Sequence, residues 1–184
     1  MLVSSLAAFD KYQRADAWTW EHQALVRSRV VAGDKHLAAA YDLVRENTLR
    51  QKRDAQPLST EVREMREKMR KYLGQSIKDG KFSLKQGSGG IVDIEFMVQF
   101  AVLAWSHDHP QLVRWSDTIR ILESLAQCGL FSEEDSLRLI DAYKRLRSAG
   151  HHAQLQNQLA EVALSEFVEE RETVAKQWQA VLNN

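Results

Sequence analysis

The stretch Lys85-Gln-Gly-Ser-Gly-Gly-Ile-Val-Asp-Ile-Glu-Phe-Met-Val-Gln-Phe100 joins a glycine-rich loop to the most apolar helical segment of the chain. Between residues 91 and 105, only Asp93, Glu95 and Gln99 are polar. A helix that is apolar nearly all round is expected to be buried. The sequence therefore predicts an all-α, bundle-like domain of several helices around a buried central helix, 91–105.

The polar residues of the central helix have two interpretations. Glu95 and Gln99 are four residues apart and share a face, whereas Asp93 lies near the helix start. A buried carboxylate needs a partner, because an unpaired charge in an apolar interior costs several kcal/mol. These residues therefore either form part of a functional site or belong to a buried network that orders the fold.

The glycine-rich loop before this helix also has two interpretations. Gly87, Gly89 and Gly90 allow backbone conformations and close approaches that other residues do not. The N–H groups at a helix start suit an anion such as phosphate, and Lys85 could assist. The alternative is a turn without a ligand. The loop is not a P-loop, since no Gly-Lys-Ser/Thr follows the glycines.

Composition narrows the class of protein. The 184 residues include 25 basic and 25 acidic side chains, a balance that gives no general attraction to nucleic acid or acidic membranes. The lone Cys128 excludes an internal disulfide framework and fits a reducing cytoplasm. The longest uncharged apolar run, residues 100–105, is too short to span a bilayer.

Hydrophobic periodicity and capping residues predict about nine helices, essentially no sheet and a single domain over residues 1–184. After a first helix capped by Ser4 or Ser5, the predicted helices cover approximately residues 17–32, 35–51, 61–77, 91–105, 117–127, 132–150, 153–164 and 165–182. Gly33 and Gly150 are the predicted helix ends, and Pro57 is predicted to close a loop.

Two further groups of residues could bind a ligand or a partner. Arg63, Arg66 and Arg70 line one helical face, which is either solvated or in contact with phosphate or a partner. Trp18 and Trp20 are either anchors in the core or at a domain interface, or a stacking surface for adenine.

Four motifs, in order and over nearly the whole chain, resemble segments of the bacterial glutamine synthetase adenylyltransferases (glutamate–ammonia-ligase adenylyltransferases). They are Ala17-Trp-Thr-Trp-Glu-His-Gln-Ala-Leu-Val-Arg-Ser-Arg-Val-Val-Ala-Gly-Asp34, Glu61-Val-Arg-Glu-Met-Arg-Glu-Lys-Met69, the 85–99 stretch, and Arg114-Trp-Ser-Asp117 before Ile121-Leu-Glu. The resemblance is to the helical region after the second nucleotidyltransferase domain. It implies a C-terminal fragment of a larger nucleotidyltransferase, in which residues 1–33 pack toward the catalytic domain.

The resemblance also implies what the parent enzyme does. Its C-terminal half transfers AMP from ATP, with Mg²⁺, to a tyrosine of glutamine synthetase, and its N-terminal half removes that AMP by phosphorolysis. Glutamine and the signalling protein PII set the balance between the two. The helical domain would lie beside the catalytic domain in the cytoplasm and help to shape its cleft.

The chain lacks one feature of this enzyme class, the Asp-x-Asp pair that holds two magnesium ions. Asp93-Ile-Glu95 mimics that pair, but residues two apart on a helix face opposite sides. A shared metal would require this segment to be extended. We therefore expect no catalytic or metal-ligating residue in this chain, and we expect the metal carboxylates upstream of Met1.

Supporting roles remain for other residues. The expected nucleotide-binding or cleft-lining residues are Lys85, Gly87, Gly89, Gly90, Arg27, Arg29 and Glu21, the last as a group that orients a substrate hydroxyl. The expected structural residues, paired with one another in the interior, are Asp93, Glu95, Gln99, Arg63 and Arg66.

Two alternative functions stay open. A non-catalytic regulatory module would dock glutamine synthetase or PII, or sense glutamine, through residues 116–184. The related PII uridylyltransferases have a similar helical neighbour, although the stretch from Trp20 to Arg27 fits the adenylyltransferases better. The site of ligand binding separates these functions: ATP near Lys85, or protein on the C-terminal helices.

Overall fold

The computed structural model describes residues 3–73 and 80–183. The elements are α1 (Leu6–Ala15), α2 (Thr19–Val26), α3 (Lys35–Leu49), α4 (Ala55–Leu73), β1 (Lys81–Ser83), α5 (Ile91–Trp105), the 3-10 helix Pro110–Val113, α6 (Thr118–Gln127), α7 (Glu133–Leu155), β2 (Glu161–Ala163) and α8 (Val168–Leu182). The all-α prediction is confirmed, with a helix count close to the one expected. In these two ranges, no helix is long and apolar enough to cross a membrane.

The central helix α5 has the predicted bounds. Every residue from Val92 to Leu103 except Glu95 is buried. Helices α2, α4, α6, α7 and α8 all pack against it. Burying each large apolar side chain contributes about 1.5–3 kcal/mol. The continuous apolar surface of α5 therefore explains why the other helices surround it.

Several predicted helix starts are confirmed by their caps. Side-chain oxygens accept hydrogen bonds from first-turn backbone N–H groups at Ser5, Asp34, Asp117 and Ser132. The predicted start of the last helix at residue 165 is wrong, because α8 begins at Val168 after Phe167, whose φ is 54°.

Two boundaries differ from the predictions for identifiable reasons. The predicted helix 17–32 ends at Val26, because the Arg45 guanidinium takes the carbonyls of Leu25 and Val26 that would continue it. Helix α4 begins at Ala55 and includes Pro57 in its first turn, where the missing N–H has no intrahelical partner to lose. The predicted end of that helix at Ile77 lies outside the described residues.

The region after residue 150 folds differently from the prediction. Helix α7 continues through Gly150 to Leu155, so the predicted break at Gly150 and the predicted helix 153–164 are wrong. Residues 161–163 form β2, which pairs antiparallel with β1 and places Val162 opposite Phe82. This small sheet joins two segments far apart in sequence, a pairing that local patterns do not reveal.

Gly150 provides a test of the unbroken helix α7. A Cβ at this position would meet nothing within 4 Å. Glycine in a helix interior destabilises by roughly 0.5–1 kcal/mol relative to alanine. We expect Gly150→Ala to raise the free energy of unfolding by about that amount in urea denaturation. Gly33→Ala, with φ of 129° in a loop, should lower it. A loss of stability in Gly150→Ala would contradict a continuous helix.

A buried histidine links α2 to its neighbours. The His22 Nε2 atom lies 2.9 Å from the carbonyl oxygen of Gln13, and its Nδ1 atom lies 3.4 Å from Nη2 of Arg53. Burial lowers the pKa of Arg53 to about 10, so this side chain remains charged at pH 7. Burial, assisted by the charge of Arg53, also lowers the pKa of His22, against the opposing effects of the Gln13 carbonyl and Glu21.

We therefore expect acid to destabilise the fold through His22. Because its pKa is lower in the folded state, the unfolded state binds the proton first. The contribution is complete above the unfolded pKa of about 6.5 and is lost as the pH falls toward the folded value. Urea denaturation between neutral and mildly acidic pH should show a smaller pH slope for His22→Gln than for the parent. The exposed His152→Gln should keep the parental slope, and an unchanged slope in His22→Gln would refute this account.

Candidate functional site

Asp93 is the centre of a buried ionic network at the start of α5. Its Oδ1 atom accepts from Nε of Arg66 at 2.6 Å. Its Oδ2 atom accepts from Nη2 of Arg70 at 2.6 Å and from the backbone N–H of Gly89 at 2.8 Å. Arg66 is completely buried, and its remaining donors reach the side-chain and backbone oxygens of Gln86. The network ties α4 to the glycine-rich loop and to α5.

Glu95 belongs to a second network on a different side of α5. Its carboxylate forms an ion pair with Arg27, just after α2, and its Oε1 atom accepts from the hydroxyl of Tyr143 at 2.9 Å. The same hydroxyl accepts from Nη1 of Arg147 at 3.2 Å. Burial opposes protonation of Arg27, but the carboxylate more than offsets it and raises the pKa of Arg27. One turn later, Gln99 accepts from Gln23 at 3.3 Å, so Glu95 and Gln99 both face α2.

These carboxylates do not fit a magnesium site. Asp93 and Glu95 both lie on a helix, where residues two apart face opposite sides. They point into separate networks whose arginines already neutralise them. Within residues 3–73 and 80–183, no group of three or more His, Cys, Asp or Glu side chains could hold a metal ion. We therefore assign no step of a reaction to a metal bound by this chain.

The glycine-rich loop packs closely against its neighbours and uses its amides within the chain. The N–H of Gly87 donates to Ser83, that of Gly89 to Asp93, and that of Gly90 to Gly87. A Cβ at Gly87 would lie 2.2 Å from the Phe82 ring, and one at Gly89 would lie 2.5 Å from a backbone oxygen. All three amides therefore donate within the chain, and their contact with a phosphate stays a prediction.

Lys85, Arg27 and Glu95 nevertheless meet in one cleft. This α5–α7 cleft has a volume of about 380 Å³ and is lined by Arg27, Lys85, Ile91, Glu95, Arg147, Gly150, His151, Gln154 and Ala160. Three basic side chains, Arg27, Lys85 and Arg147, thus face it with one carboxylate, which is paired with Arg27. An excess of guanidinium and ammonium groups suits a phosphate or another anion.

The other predicted residues lie elsewhere. Glu21 accepts from the backbone N–H of Trp18 at 2.9 Å and from the Tyr12 hydroxyl at 2.7 Å, so it caps α2. Arg29 lines a different cleft, beside Arg45. Arg63 donates to Oδ1 of Asn183 at 2.7 Å, near the end of α8. None of these three side chains lines the α5–α7 cleft.

Three residues of α7 that were not predicted as site residues complete the cleft. Arg147, His151 and Gln154 share one helical face at spacings of four and three residues. The predicted break at Gly150 separates Arg147 from the other two residues. A helix continued through Gly150 would have placed all three on one face, so the signal was present in the sequence.

The two tryptophans of α2 are not core residues. Trp18 is 68% exposed and Trp20 is 44% exposed. Their rings pack edge to face with centroids 6.5 Å apart. The interpretation as core anchors is therefore wrong, and a role at a domain interface stays a prediction.

Two family models match successive parts of the chain. The model described as glutamate-ammonia ligase adenylyltransferase matches residues 1–44. The model described as GlnD PII-uridylyltransferase matches residues 47–182, which is most of the chain.

Individual relatives match across the boundary between the two models. Proteins named bifunctional glutamine synthetase adenylyltransferase/adenylyl-removing enzyme are 51% identical over 98% of the chain in Hahella chejuensis, 51% over 100% in Nitrosococcus oceani and 49% over 97% in Pseudomonas putida. The chain spans 19% of the length of each of these relatives. The chain belongs to the family that the GlnD PII-uridylyltransferase model describes, and its sequence is similar to part of the bifunctional glutamine synthetase adenylyltransferase/adenylyl-removing enzymes.

Proposed function

We propose that this chain is the C-terminal helical domain of a bifunctional glutamine synthetase adenylyltransferase, where it assists transfer of AMP from ATP to glutamine synthetase. Sequence identity of 49–51% over nearly the whole chain to enzymes of that name supports the proposal. The parent would use ATP and Mg²⁺ in the cytoplasm, and would respond to PII and glutamine. Its metal carboxylates would belong to a neighbouring nucleotidyltransferase domain.

The observation that carries the proposal is the cationic α5–α7 cleft. Nucleotidyl transfer builds negative charge on phosphate oxygens, and positioned cations stabilise it. Lys85 is exposed, and among the described residues it forms no ion pair, so its ammonium group can contact a phosphate. Arg27 and Arg147 are oriented by Glu95 and by the Tyr143 hydroxyl, respectively. The chain's own contribution is then to hold and orient an anionic group.

The exposed aromatic residues indicate which surface could contact the neighbouring nucleotidyltransferase domain. Trp18 and Trp20 project from the start of α2, and Tyr12 on α1 is also exposed. Aromatic residues of this kind are enriched at interfaces. We propose that residues 1–33 pack against the nucleotidyltransferase domain, so that the α5–α7 cleft adjoins its active site.

A regulatory role is the second candidate, and two observations favour it. The model for residues 47–182 is named for a PII-uridylyltransferase, so similar sequences occur in two enzymes with different names. The second half of the chain also exposes large apolar side chains, among them Leu137, Leu155 and Leu159. Binding of a protein to this surface, without binding of ATP at the cleft, would favour this role.

Calorimetric titration of the chain with ATP tests the first proposal. We expect Lys85→Gln to weaken ATP binding by roughly fivefold, the effect of losing one solvent-exposed ionic contact. Lys144→Gln removes an exposed lysine of α7 outside the cleft, and it should bind ATP as the parent does. Equal ATP affinity in Lys85→Gln and the parent would contradict a contact between the α5–α7 cleft and ATP.

A further inference from the structure

A second cavity of the described residues shares no residue with the α5–α7 cleft. It has a volume of about 800 Å³, and it lies between α3, the segment after α2 and the turn into α6. We call it the Trp115 cleft. Its lining residues are Ser28, Arg29, Val30, Asp42, Arg45, Glu46, Pro110, Val113, Arg114, Trp115, Ser116, Asp117 and Arg120. It contains the Arg114-Trp-Ser-Asp117 motif, which the proposed function leaves without a role.

A buried cation forms part of its wall. Arg45 is only 8% exposed, and burial lowers its pKa. Its donors reach the carbonyl oxygens of Leu25, Val26 and Val113 at 2.7–3.1 Å. Among the described residues, no carboxylate forms an ion pair with Arg45, and its hydrogen bonds go to neutral carbonyls, while Asp42 and Glu46 attract it only from a longer range. The wall of the cleft therefore contributes a positive charge.

At the rim of the cleft, two more cations, Arg114 and Arg120, lie over the ring of Trp115. The guanidinium carbons of Arg114 and Arg120 lie 4.8 Å and 4.2 Å from the ring centroid of Trp115. Stacking of this kind restrains a guanidinium while leaving its N–H edge free to bind an oxyanion. Arg29 is a further exposed arginine of the lining.

The acidic residues of the cleft do not cancel these cations. Glu46 pairs with Arg50 outside the lining at 2.8 Å. Asp117 caps α6 through its Oδ1 atom, and its other oxygen is 3.8 Å from Nε of Arg120. Asp42 and Asp117 are then left to oppose four guanidinium groups in the lining, so the cations remain in excess.

We infer that the Trp115 cleft docks an acidic, extended segment of a partner protein. Tryptophan and arginine are the residues that most often dominate the energy of protein interfaces, and here they stand together around a positive wall. Carboxylates of the segment would bind Arg29, Arg114 and Arg120, and its backbone or side chains would cover Trp115. This inference does not depend on nucleotide binding at the α5–α7 cleft.

Nuclear magnetic resonance can test it with defined peptides. The chain is titrated with a short peptide of alternating glutamate and glycine, with its lysine–glycine counterpart and with citrate. The indole N–H signal of Trp115 is assigned by its absence in Trp115→Phe. We expect the acidic peptide alone to shift this signal to saturation, and the affinity to fall as salt is raised.

Variants of the rim provide the second measurement. Arg114→Gln with Arg120→Gln should weaken binding of the acidic peptide by roughly tenfold, the loss expected of two exposed ionic contacts. Arg138→Gln removes an exposed arginine of α7 and should leave binding unchanged. Absence of a Trp115 shift, equal binding of the basic peptide, or citrate binding as tight as that of the acidic peptide would each overturn the inference. If the double variant fails to fold, the comparison of the three ligands on the unmodified chain still tests the inference.

Discussion

Replacing Asp93 by alanine is expected to lower the free energy of unfolding by about 3–5 kcal/mol. The substitution leaves Arg66, which is fully buried, without a counter-charge. It also removes the acceptor of Arg70 and of the Gly89 N–H. Urea denaturation followed by circular dichroism measures the loss.

An exposed ion pair serves as the control and shows how much of the loss depends on burial of the pair. Asp10 forms an ion pair with Arg14 on α1, where both side chains contact solvent. Exposed pairs contribute 0–1 kcal/mol, so Asp10→Ala should change stability by no more than about that amount. The double variant Asp93→Ala/Arg66→Met should lose less than the sum of its two single variants, because it removes the orphaned charge. Equal small losses in Asp93→Ala and Asp10→Ala would contradict the buried network.

The second large effect is expected for Gly89→Ala, with a loss of about 2–4 kcal/mol. Gly89 has a φ of 81°, a left-handed conformation that costs other residues about 1–2 kcal/mol. A Cβ there would also lie 2.5 Å from the carbonyl oxygen of Arg171 and 2.9 Å from its Cα atom. These atoms belong to the backbone of α8, so a side-chain rotation cannot relieve the overlap.

Gly80→Ala separates the cost of the left-handed backbone conformation from the cost of overlap with α8. Gly80 has a similar φ of 74°, but nothing lies within 4 Å of its added Cβ. Its substitution should therefore cost only the conformational part, about 1–2 kcal/mol, when both variants are unfolded in urea. If the two variants lose the same stability, then α8 does not crowd the glycine-rich loop.

Local sequence patterns predicted the parts of the fold that local physics decides. The apolar run of α5 gave its bounds, and small polar residues such as Ser132 and Asp117 gave helix starts through their caps. The failures arose where a distant residue intervened. Arg45, from α3, ends α2 by taking its carbonyls, and the β1–β2 pairing joins residues about eighty positions apart.

The candidate site was predictable only in part for the same reason. The sequence indicated Lys85, Arg27 and Glu95 as candidates, but not that they share a cleft. It left both phosphate contact and a turn without a ligand open for the glycines, because composition cannot show that Phe82 and α8 occupy the adjacent space. The opposite face of the cleft comes from α7, whose continuity through Gly150 depends on tertiary packing more than on helix propensity.

The most direct test of the central claim, that this chain supports nucleotidyl transfer without holding the metal site, is an assay of labelled AMP transfer from ATP to glutamine synthetase with Mg²⁺. The chain alone is compared with an enzyme of the relatives' full length that contains it, with and without Lys85→Gln. We predict no label with the chain alone, label with the longer enzyme, and less label with the variant. Label transferred by the chain alone would make Asp93 and Glu95 metal ligands after all and would contradict the account.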